Sequence, residues 1–394
     1  MILSQRKLAK ALVGLVLTTL AVGVARTQTR AAAPPLPAET SDVAVMSPAG
    51  PHRLFVMKGG NSSGAAVIDA ESDDLKVLGL VPIENGGIMA VSRDAARIFV
   101  IETFYSRGNR GTREDVLAVY DGQTLNLLHE ISIPGRLLVV PKPNLFELSD
   151  DGRLAYIYDM IPASRVHVVD LQENKMLSSV DVPGCALALP YGPRSFATVC
   201  GDGTVGTAEV SSTGATSVTF TKPFFDANLD PLFEASVVDR SSGEAWLMSY
   251  SGKIFPAKLG STATIGKAWS VSAAGGFPMA GTGVQELAWR PGGTGQPLAL
   301  HRALKRLYVL MHTGNHWTHK TPGTEVWVLD AVRQTLIRRI SLEHPAQGIA
   351  VSQDATPLLY VMGEEEELAV LDATTGAKLR KRKMRSSLAW VPGN

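Results

Sequence analysis

The stretch that decides the fold is Ser92-Arg-Asp-Ala95, then Arg97-Ile-Phe-Val100 and, after a gap, Ala118-Val-Tyr-Asp121. It consists of a polar turn, an apolar strand, and a second apolar strand that ends in an aspartate. Short apolar runs bounded by such turns are typical of antiparallel hairpins. The pattern recurs, and copies of its first strand begin at seven places: Arg53, Arg97, Arg153, Ser195, Glu244, Arg306 and Pro357.

The spacing of these copies predicts a β-propeller. Successive copies begin 42 to 62 residues apart, and a four-stranded blade occupies about 40 to 50 residues, to which loop insertions add. The expected fold class is therefore all-β, a seven-bladed β-propeller, with residues 34–394 as one domain because each blade buries its faces only against its neighbours. The aspartate that ends the second strand, as at Asp121, is interpreted as structural because its side chain can accept hydrogen bonds from the backbone of the next turn.

Residues 1–33 have the layout of a signal peptide followed by an N-terminal linker. Arg6, Lys7 and Lys10 precede an apolar run, residues 11–25, and an Ala/Pro stretch comes after it. An uncleaved membrane anchor is the alternative, but the run is short of the roughly 20 residues that a spanning helix needs. We therefore expect export to the periplasm, cleavage of the signal and no stable membrane insertion.

The chain has two cysteines, Cys185 and Cys200, and a formal net charge of +1. In an exported protein two cysteines close in sequence favour a disulfide over a metal site, and here they predict a bridge between neighbouring strands. The balanced charge gives no indication of a nucleic-acid partner.

Motifs for chemistry in this chain fail on their context. Gly60-Asn-Ser-Ser-Gly64 matches a nucleophile elbow, but a β-type run follows it where that motif requires a helix. His312, His316 and His319 fall in a polar loop, and a turn is favoured there over a metal site. We therefore expect no catalytic, cofactor-binding or metal-binding residue in this chain.

Several ordered, non-repetitive segments carry a family resemblance: Phe104–Arg113, Pro193–Gly203, Tyr250–Ile254, Trp289–Gly293, His301–Ala303, His319-Lys320 and Glu325–Asp330. By these segments the chain resembles the large (heavy) subunit of the tryptophan tryptophylquinone amine dehydrogenases, methylamine and aromatic amine dehydrogenase. The resemblance extends from about Arg53 to Val391. Cys185 lies upstream of Cys200 at the family's cystine spacing.

The resemblance implies a scaffold role in a larger enzyme. In that family the heavy subunit is a seven-bladed propeller without a redox group, and a small cystine-rich subunit carries the tryptophan tryptophylquinone. The α2β2 enzyme is periplasmic, oxidises a primary amine to an aldehyde and ammonia, and passes electrons to a blue copper protein such as amicyanin or azurin. The alternative is a stand-alone exported propeller that binds a ligand or a protein and has no enzymatic activity.

Two features bear on contacts and substrate. Arg107, Arg110 and Arg113 suit a surface that contacts the small subunit or lines the substrate channel. The alternative is a loop in which they bind backbone carbonyl groups and neighbouring carboxylates such as Glu114 and Asp115. Methylamine dehydrogenase has a phenylalanine that lines its channel in the first blade, whereas the stretch 57–64 here has no aromatic residue. The physiological amine is left open between methylamine and an aromatic amine, and the missing ring suggests an amine bulkier than methylamine.

Overall fold

A computed structural model describes residues 45–393, apart from 59–63, 136, 138–139, 364 and 366. The predicted signal peptide and most of the channel stretch 57–64 lie outside the described residues. The described chain is almost entirely β-structure, and the all-β propeller prediction is confirmed. Its one helix, α1, comprises Val271–Ala274, so no helix among the described residues has the length to cross a membrane.

The strands follow one another in sequence around the molecule, sheet by sheet. The first sheet begins with β1 (Arg53–Lys58), β2 (Ala65–Asp69) and β3 (Val77–Val81). The second contains β4 (Ile88–Val91), β5 (Arg97–Arg107), β6 (Arg110–Asp121) and β7 (Leu127–Ser132). The third contains β8 (Phe146–Leu148), β9 (Leu154–Asp159), β10 (Arg165–Asp170) and β11 (Lys175–Asp181).

The fourth sheet contains β12 (Cys185–Tyr191), β13 (Ser195–Cys200), β14 (Val205–Val210) and β15 (Thr216–Phe220). The fifth contains β16 (Val237–Asp239), β17 (Glu244–Met248), β18 (Lys253–Lys258), β19 (Thr264–Ile265) and β20 (Trp269–Ser270). The sixth contains β21 (Ala288–Pro291), β22 (Leu298–His301), β23 (Arg306–Gly314), β24 (Gly323–Asp330), β25 (Thr335–Val351), β26 (Leu358–Gly363), β27 (Glu367–Asp372) and β28 (Lys378–Lys383). The last strand, β29 (Ser386–Trp390), joins the first sheet beside β1.

The prediction of seven separate blades is wrong for the hydrogen-bonded sheets. Five sheets have the four or five strands of a single blade, and the sixth has eight strands. The reason is β25, whose 17 residues pair with β24 over their first part and with β26 over their last part. Between Ser341 and Ala346 this strand is irregular, because five steps along β25 correspond to only two steps along β24. The chain therefore passes from one blade-sized unit to the next without leaving the sheet.

The core lies between neighbouring sheets. Phe55 and Val67 of the first sheet pack with Val100 of the second, and all three are fully buried. Leu54 of the first sheet packs in another cluster with Tyr360 of the sixth, so the sheets close into a ring. The innermost strands line a central cavity, to which β4, β8, β12, β16, β22, β29 and the end of β25 contribute residues.

The turn aspartates have the structural role that the sequence predicts. Asp121 Oδ1 accepts hydrogen bonds from the backbone N–H groups of Gln123, at 3.0 Å, and of Thr124, at 2.9 Å. Asp372 Oδ1 binds the equivalent turn through Thr374 N at 2.9 Å. These N–H groups lower the pKa of both carboxyl groups, because they stabilise the charged form.

Candidate partner-binding face

The strand order gives the ring two different faces. Within a four-stranded antiparallel sheet, the loop between the second and third strands lies at the same end as the loop that leads to the next sheet. We call this end the arm face, and its loops include 102–115, 133–145, 160–164, 221–236, 249–252, 276–287 and 315–322. The opposite end carries the short turns between first and second strands and between third and fourth strands, and we call it the turn face.

The arm face takes its name from a two-stranded projection of the second sheet. β5 and β6 pair from Arg97 and Asp121 as far as Arg107 and Arg110. The neighbouring strands cover much less of this hairpin, because β4 pairs with β5 only to Ile101 and β7 pairs with β6 only from Val116. Residues 102–115 therefore extend beyond the blade as an arm, with Arg107 and Arg110 exposed beside its tip.

Arg113 holds the base of this arm and is tied to its own chain. Its Nε lies 2.8 Å from Asp115 Oδ2 and its Nη2 lies 2.7 Å from Asp115 Oδ1, and Asp115 is only 4% exposed. Nη2 also donates to the carbonyl oxygen of Leu137 at 3.0 Å. The hydrogen bonds to Asp115 raise the pKa of Arg113, because they stabilise its charge. Of the three arginines, Arg113 thus forms hydrogen bonds within its own chain, as the alternative interpretation expects. Arg107 and Arg110 remain candidates for a partner contact.

Exposed apolar side chains concentrate on the arm face. Some exposed apolar side chains lie on the outer strands of the sheets and belong to neither face. The arm face displays Val140, Met160, Ile161, Leu229, Met279, Val284, Leu287 and Trp317, with Phe104 on the arm itself. Among the described residues of the turn face, the large exposed apolar side chains are Val45, Leu304 and Val332. Exposed apolar side chains that cluster on one side of a protein are typical of interaction sites, so the arm face is the candidate partner-binding face. The sequence pattern did not reveal this surface, because these residues lie in loops without periodicity.

An aromatic cluster lies within this face. The ring of His319 stacks on that of Tyr250 with centroids 3.9 Å apart, and the rings of Phe233 and Trp317 approach Tyr250 at 4.7 and 6.3 Å. Burial raises the pKa of Tyr250 to about 12 and lowers that of His319. Trp317 is 46% exposed and has a backbone φ of 67°, a left-handed conformation that is costly for a residue with a side chain.

The three histidines of this region are bound separately. His312 Nε2 lies 2.8 Å from Thr318 Oγ1, and His316 Nε2 lies 2.7 Å from the carbonyl oxygen of Leu229. His319 stacks on Tyr250. The predicted turn is present for His316 and His319, since residues 316–317 and 319–320 are in turns. The prediction of a loop is wrong for His312, which lies in β23 and is 2% exposed.

Among the described residues, one cluster has the spacing of metal ligands, and it lies on β25 and β27 of the sixth sheet. It consists of Glu343, His344 and Glu367. Its two carboxylates already bind ammonium groups of the same chain, those of Lys378 and, at 3.0 Å, Lys381.

Hydrogen bonds join the loops of the arm face into one surface. Arg113 reaches the 133–145 loop at Leu137, and Asn144 of that loop donates to the carbonyl oxygen of Ser236 at 2.9 Å. The bond from His316 to Leu229 connects the next loops. Apolar side chains are thus presented by a backbone that is fixed across several sheets, as a docking surface requires.

The two cysteines form a disulfide at the arm-face end of the fourth sheet. Cys185 and Cys200 are direct partners in the β12–β13 ladder, with Cα atoms 3.8 Å apart, and each is 4% exposed. The disulfide joins the innermost strand of this sheet to the next strand.

Comparison with known proteins identifies the family. The sequence profile of the methylamine dehydrogenase heavy chain matches residues 52–387. The chain belongs to the methylamine dehydrogenase heavy chain family. The heavy chain from Methylophilus methylotrophus is 33% identical over 349 residues, which is 86% of this chain and 82% of that protein. The heavy chain from Methylobacillus flagellatus is 30% identical over 339 residues, covering 85% and 82% of the two chains.

Solved structures show the same fold at low sequence identity. The β-propeller domain of Swd1 from Myceliophteria thermophila aligns with a TM-score of 0.52 at 9% identity, over 82% of this chain and 96% of that domain. A dihydro-heme d1 dehydrogenase aligns with a TM-score of 0.55 at 14% identity, over 88% of this chain and 76% of the other. These likenesses support the propeller fold alone.

Two of the segments that carry the resemblance meet in the structure. They are Tyr250–Ile254 and His319-Lys320. Tyr250 and His319 are 69 residues apart in the sequence, and their rings stack on the arm face. Phe104–Arg113 forms most of the arm. These segments therefore contribute the arm and the Tyr250–His319 stack, and of the exposed apolar side chains of this face they contain Phe104.

Proposed function

We propose that this chain is the heavy, cofactor-free subunit of a periplasmic amine dehydrogenase that oxidises primary amines to an aldehyde and ammonia. Membership of the methylamine dehydrogenase heavy chain family supports the reaction class. The single observation that carries the scaffold role is the apolar, aromatic surface of the arm face, which suits a bound partner. The partner in this proposal is a small subunit that holds tryptophan tryptophylquinone, in an α2β2 assembly.

In this proposal the small subunit carries out the redox chemistry and this chain supplies a binding surface for it. The quinone, when bound in the partner, would supply the two-electron chemistry of amine oxidation, and a blue copper protein such as amicyanin or azurin is the proposed electron acceptor. This chain contributes a fixed surface that positions the small subunit and excludes water at its edge. Arg107 and Arg110 on the exposed arm are proposed to contact the small subunit through its carboxylates or carbonyl groups.

We also propose that the eight-stranded sheet counts as two blades of a seven-bladed ring. The irregular stretch between Ser341 and Ala346 divides β25 into an outer strand that pairs with β24 and an inner strand that pairs with β26. The inner part ends at Val351, which lines the central cavity beside residues of β22 and β29.

A matched pair of substitutions tests the docking face. Leu287 is 70% exposed on the arm face and Val332 is 71% exposed on the turn face. We expect Leu287→Asp to weaken retention of the small subunit by about tenfold or more, because a carboxylate would be buried without a partner at the contact. Val332→Asp should leave retention unchanged.

The assay is co-purification of the two subunits from a strain that expresses both, followed by amine-dependent dye reduction. Equal retention by both variants would exclude the arm face as the docking surface. A heavy chain that purifies alone, with no quinone absorbance and no dye reduction in any fraction, would support the stand-alone binding protein instead.

A further inference from the structure

Trp317 is an exposed aromatic residue in a strained backbone conformation. It is 46% exposed on the arm face, and its backbone φ is 67°. This left-handed region brings a Cβ atom too close to the following carbonyl oxygen, and glycine is the residue that adopts it without this cost. The turn at residues 316–317 would therefore be less strained with glycine in place of the tryptophan.

The other apolar residues with a left-handed backbone are sheltered from water. Among the described residues these are Leu75, Ala95, Leu125 and Leu187. Leu75 is fully buried, and Ala95 and Leu187 are 3% and 6% exposed. Leu125 is half-buried and packs against the core between the first and second sheets. Burial of these side chains offsets their conformational cost, whereas nearly half of Trp317 stays in water and offsets little of its own.

The backbone on both sides of Trp317 is held by hydrogen bonds. His316 is 3% exposed, and its Nε2 lies 2.7 Å from the carbonyl oxygen of Leu229. Thr318 Oγ1 donates to the carbonyl oxygen of Asn315 at 2.7 Å. These bonds fix the strained turn, so little conformational freedom remains to be lost when a partner binds to the ring.

The indole of Trp317 is supported within the chain and keeps an unused donor. Its ring stands edge-on to that of Tyr250, with centroids 6.3 Å apart and an interplanar angle of 88°. Within the described part of the chain Trp317 Nε1 makes no hydrogen bond, whereas Trp327 Nε1 donates to Glu325 Oε2 at 2.7 Å. A tryptophan that offers apolar surface and one N–H donor is the residue type enriched at the energetic centres of protein interfaces.

The exposed apolar surface continues from Trp317 to the neighbouring loop. Leu229, whose carbonyl group contacts His316, is itself 50% exposed. The two loops therefore present apolar side chains from one hydrogen-bonded support, on the face that displays most of the exposed apolar loop residues.

We propose that Trp317 is the principal contact of the arm face with the small subunit. Its indole inserts into an apolar pocket of that subunit, and its N–H donates to a carbonyl or carboxylate oxygen there. This inference rests on the proposed function, and membership of the heavy chain family implies a small subunit as the partner. Burial of the indole in the complex would offset the conformational cost that the heavy chain alone does not.

The first experiment measures the dissociation constant of the small subunit from the intact co-purified complex, by sedimentation over a dilution series. Trp317→Gly should raise this constant by about thirtyfold or more, as expected for a tryptophan at the centre of an interface. Trp317→Phe keeps an aromatic ring but loses the N–H, and should raise it by less. Since glycine adopts a φ of 67° without strain, a loss of affinity in Trp317→Gly cannot come from a misfolded turn.

Gln334→Gly is the matched control. Gln334 is exposed, has a backbone φ of 58° and lies in a turn of the turn face. The substitution relieves the same kind of strain away from the proposed contact, so the dissociation constant should stay unchanged.

Oxidative footprinting of the intact complex gives a second readout. Hydroxyl radicals modify exposed side chains, and mass spectrometry locates the modified residues. Trp317 should be protected in the complex and become modified once dilution dissociates the subunits. Leu304, which is 43% exposed on the turn face, should be modified equally in both states.

Two results would overturn this inference. They are an unchanged dissociation constant in Trp317→Gly, and modification of Trp317 to the same extent before and after dissociation. If Leu287→Asp weakens retention and Trp317→Gly does not, this inference fails while the proposed docking face stands. If no small subunit co-purifies with the unmodified chain, the proposed function fails and this inference fails with it.

Discussion

Acidification should destabilise this protein through His312, and the structure gives the size of the effect. The imidazole is 2% exposed, its Nε2 is bound to Thr318, and its Nδ1 has no hydrogen-bond partner. Burial, reinforced by the positive charge of Arg290, lowers the pKa of His312 from 6.5 to about 4. The folded protein therefore holds His312 neutral where the unfolded chain would bind a proton.

The direction and magnitude follow from proton linkage. Because the folded pKa lies below the unfolded pKa, the full contribution to stability is present above about pH 6.5 and is lost as the pH falls towards 4. Between about pH 7.5 and pH 5, a shift from 6.5 to about 4 corresponds to a loss of roughly 2 kcal/mol in the free energy of unfolding.

Denaturant unfolding of the unmodified chain and of His312→Gln at both pH values measures this loss. Glutamine has no charge to acquire, so the fall in unfolding free energy should be about 2 kcal/mol smaller in the variant. Other carboxylates and histidines titrate equally in both proteins and cancel in the difference. His129→Gln, at an exposed position on β7, is the control and should leave the pH dependence unchanged. The reasoning is refuted if His312→Gln and the unmodified chain lose the same stability on acidification.

Two further substitutions test the scaffold. Cys185→Ser opens a disulfide with a sequence separation of 15 residues, and should lower the unfolding free energy by about 3 kcal/mol while leaving amine-dependent turnover in the assembled complex; normal stability with lost turnover would contradict the structural role. Arg113→Met leaves Asp115 buried without its partner and should cost about 3 kcal/mol, whereas Arg110→Met, at an exposed position of the same arm, should cost less than about 0.5 kcal/mol. Equal effects of the two arginine variants would show that the tie to Asp115 contributes nothing.

The repeat pattern predicted most of the fold because it reports strand periodicity directly. Arg97–Val100, the first strand of the repeat in the sequence, begins β5, which is the second strand of its sheet because β4 precedes it. The strand that ends at Asp121 is β6. The continuity of β25 could not be predicted, because Pro345 interrupts the strand pattern and only the three-dimensional pairing shows that the irregular stretch stays in the sheet.

The candidate site was only partly readable from the sequence. The sequence suggests Glu114 and Asp115 as carboxylate partners of the arginines, and the strand decides between them, because Asp115 lies two residues from Arg113 and on the same side of the sheet. The stacking of Tyr250 on His319 joins loops of different sheets, and nothing local in either segment indicates it.

The pairing of β1 with β29 has a consequence for how the protein is made. Phe55 and Val56 pair with Trp390 and Ala389, so the first and the last of the described strands share one sheet. Until residues 386–390 have been synthesised, the inner edge of β1 has unpaired backbone donors and acceptors and can pair with a strand of another chain. Completion of the ring thus depends on residues 386–390, and a chain without them would be left with an open edge prone to aggregation.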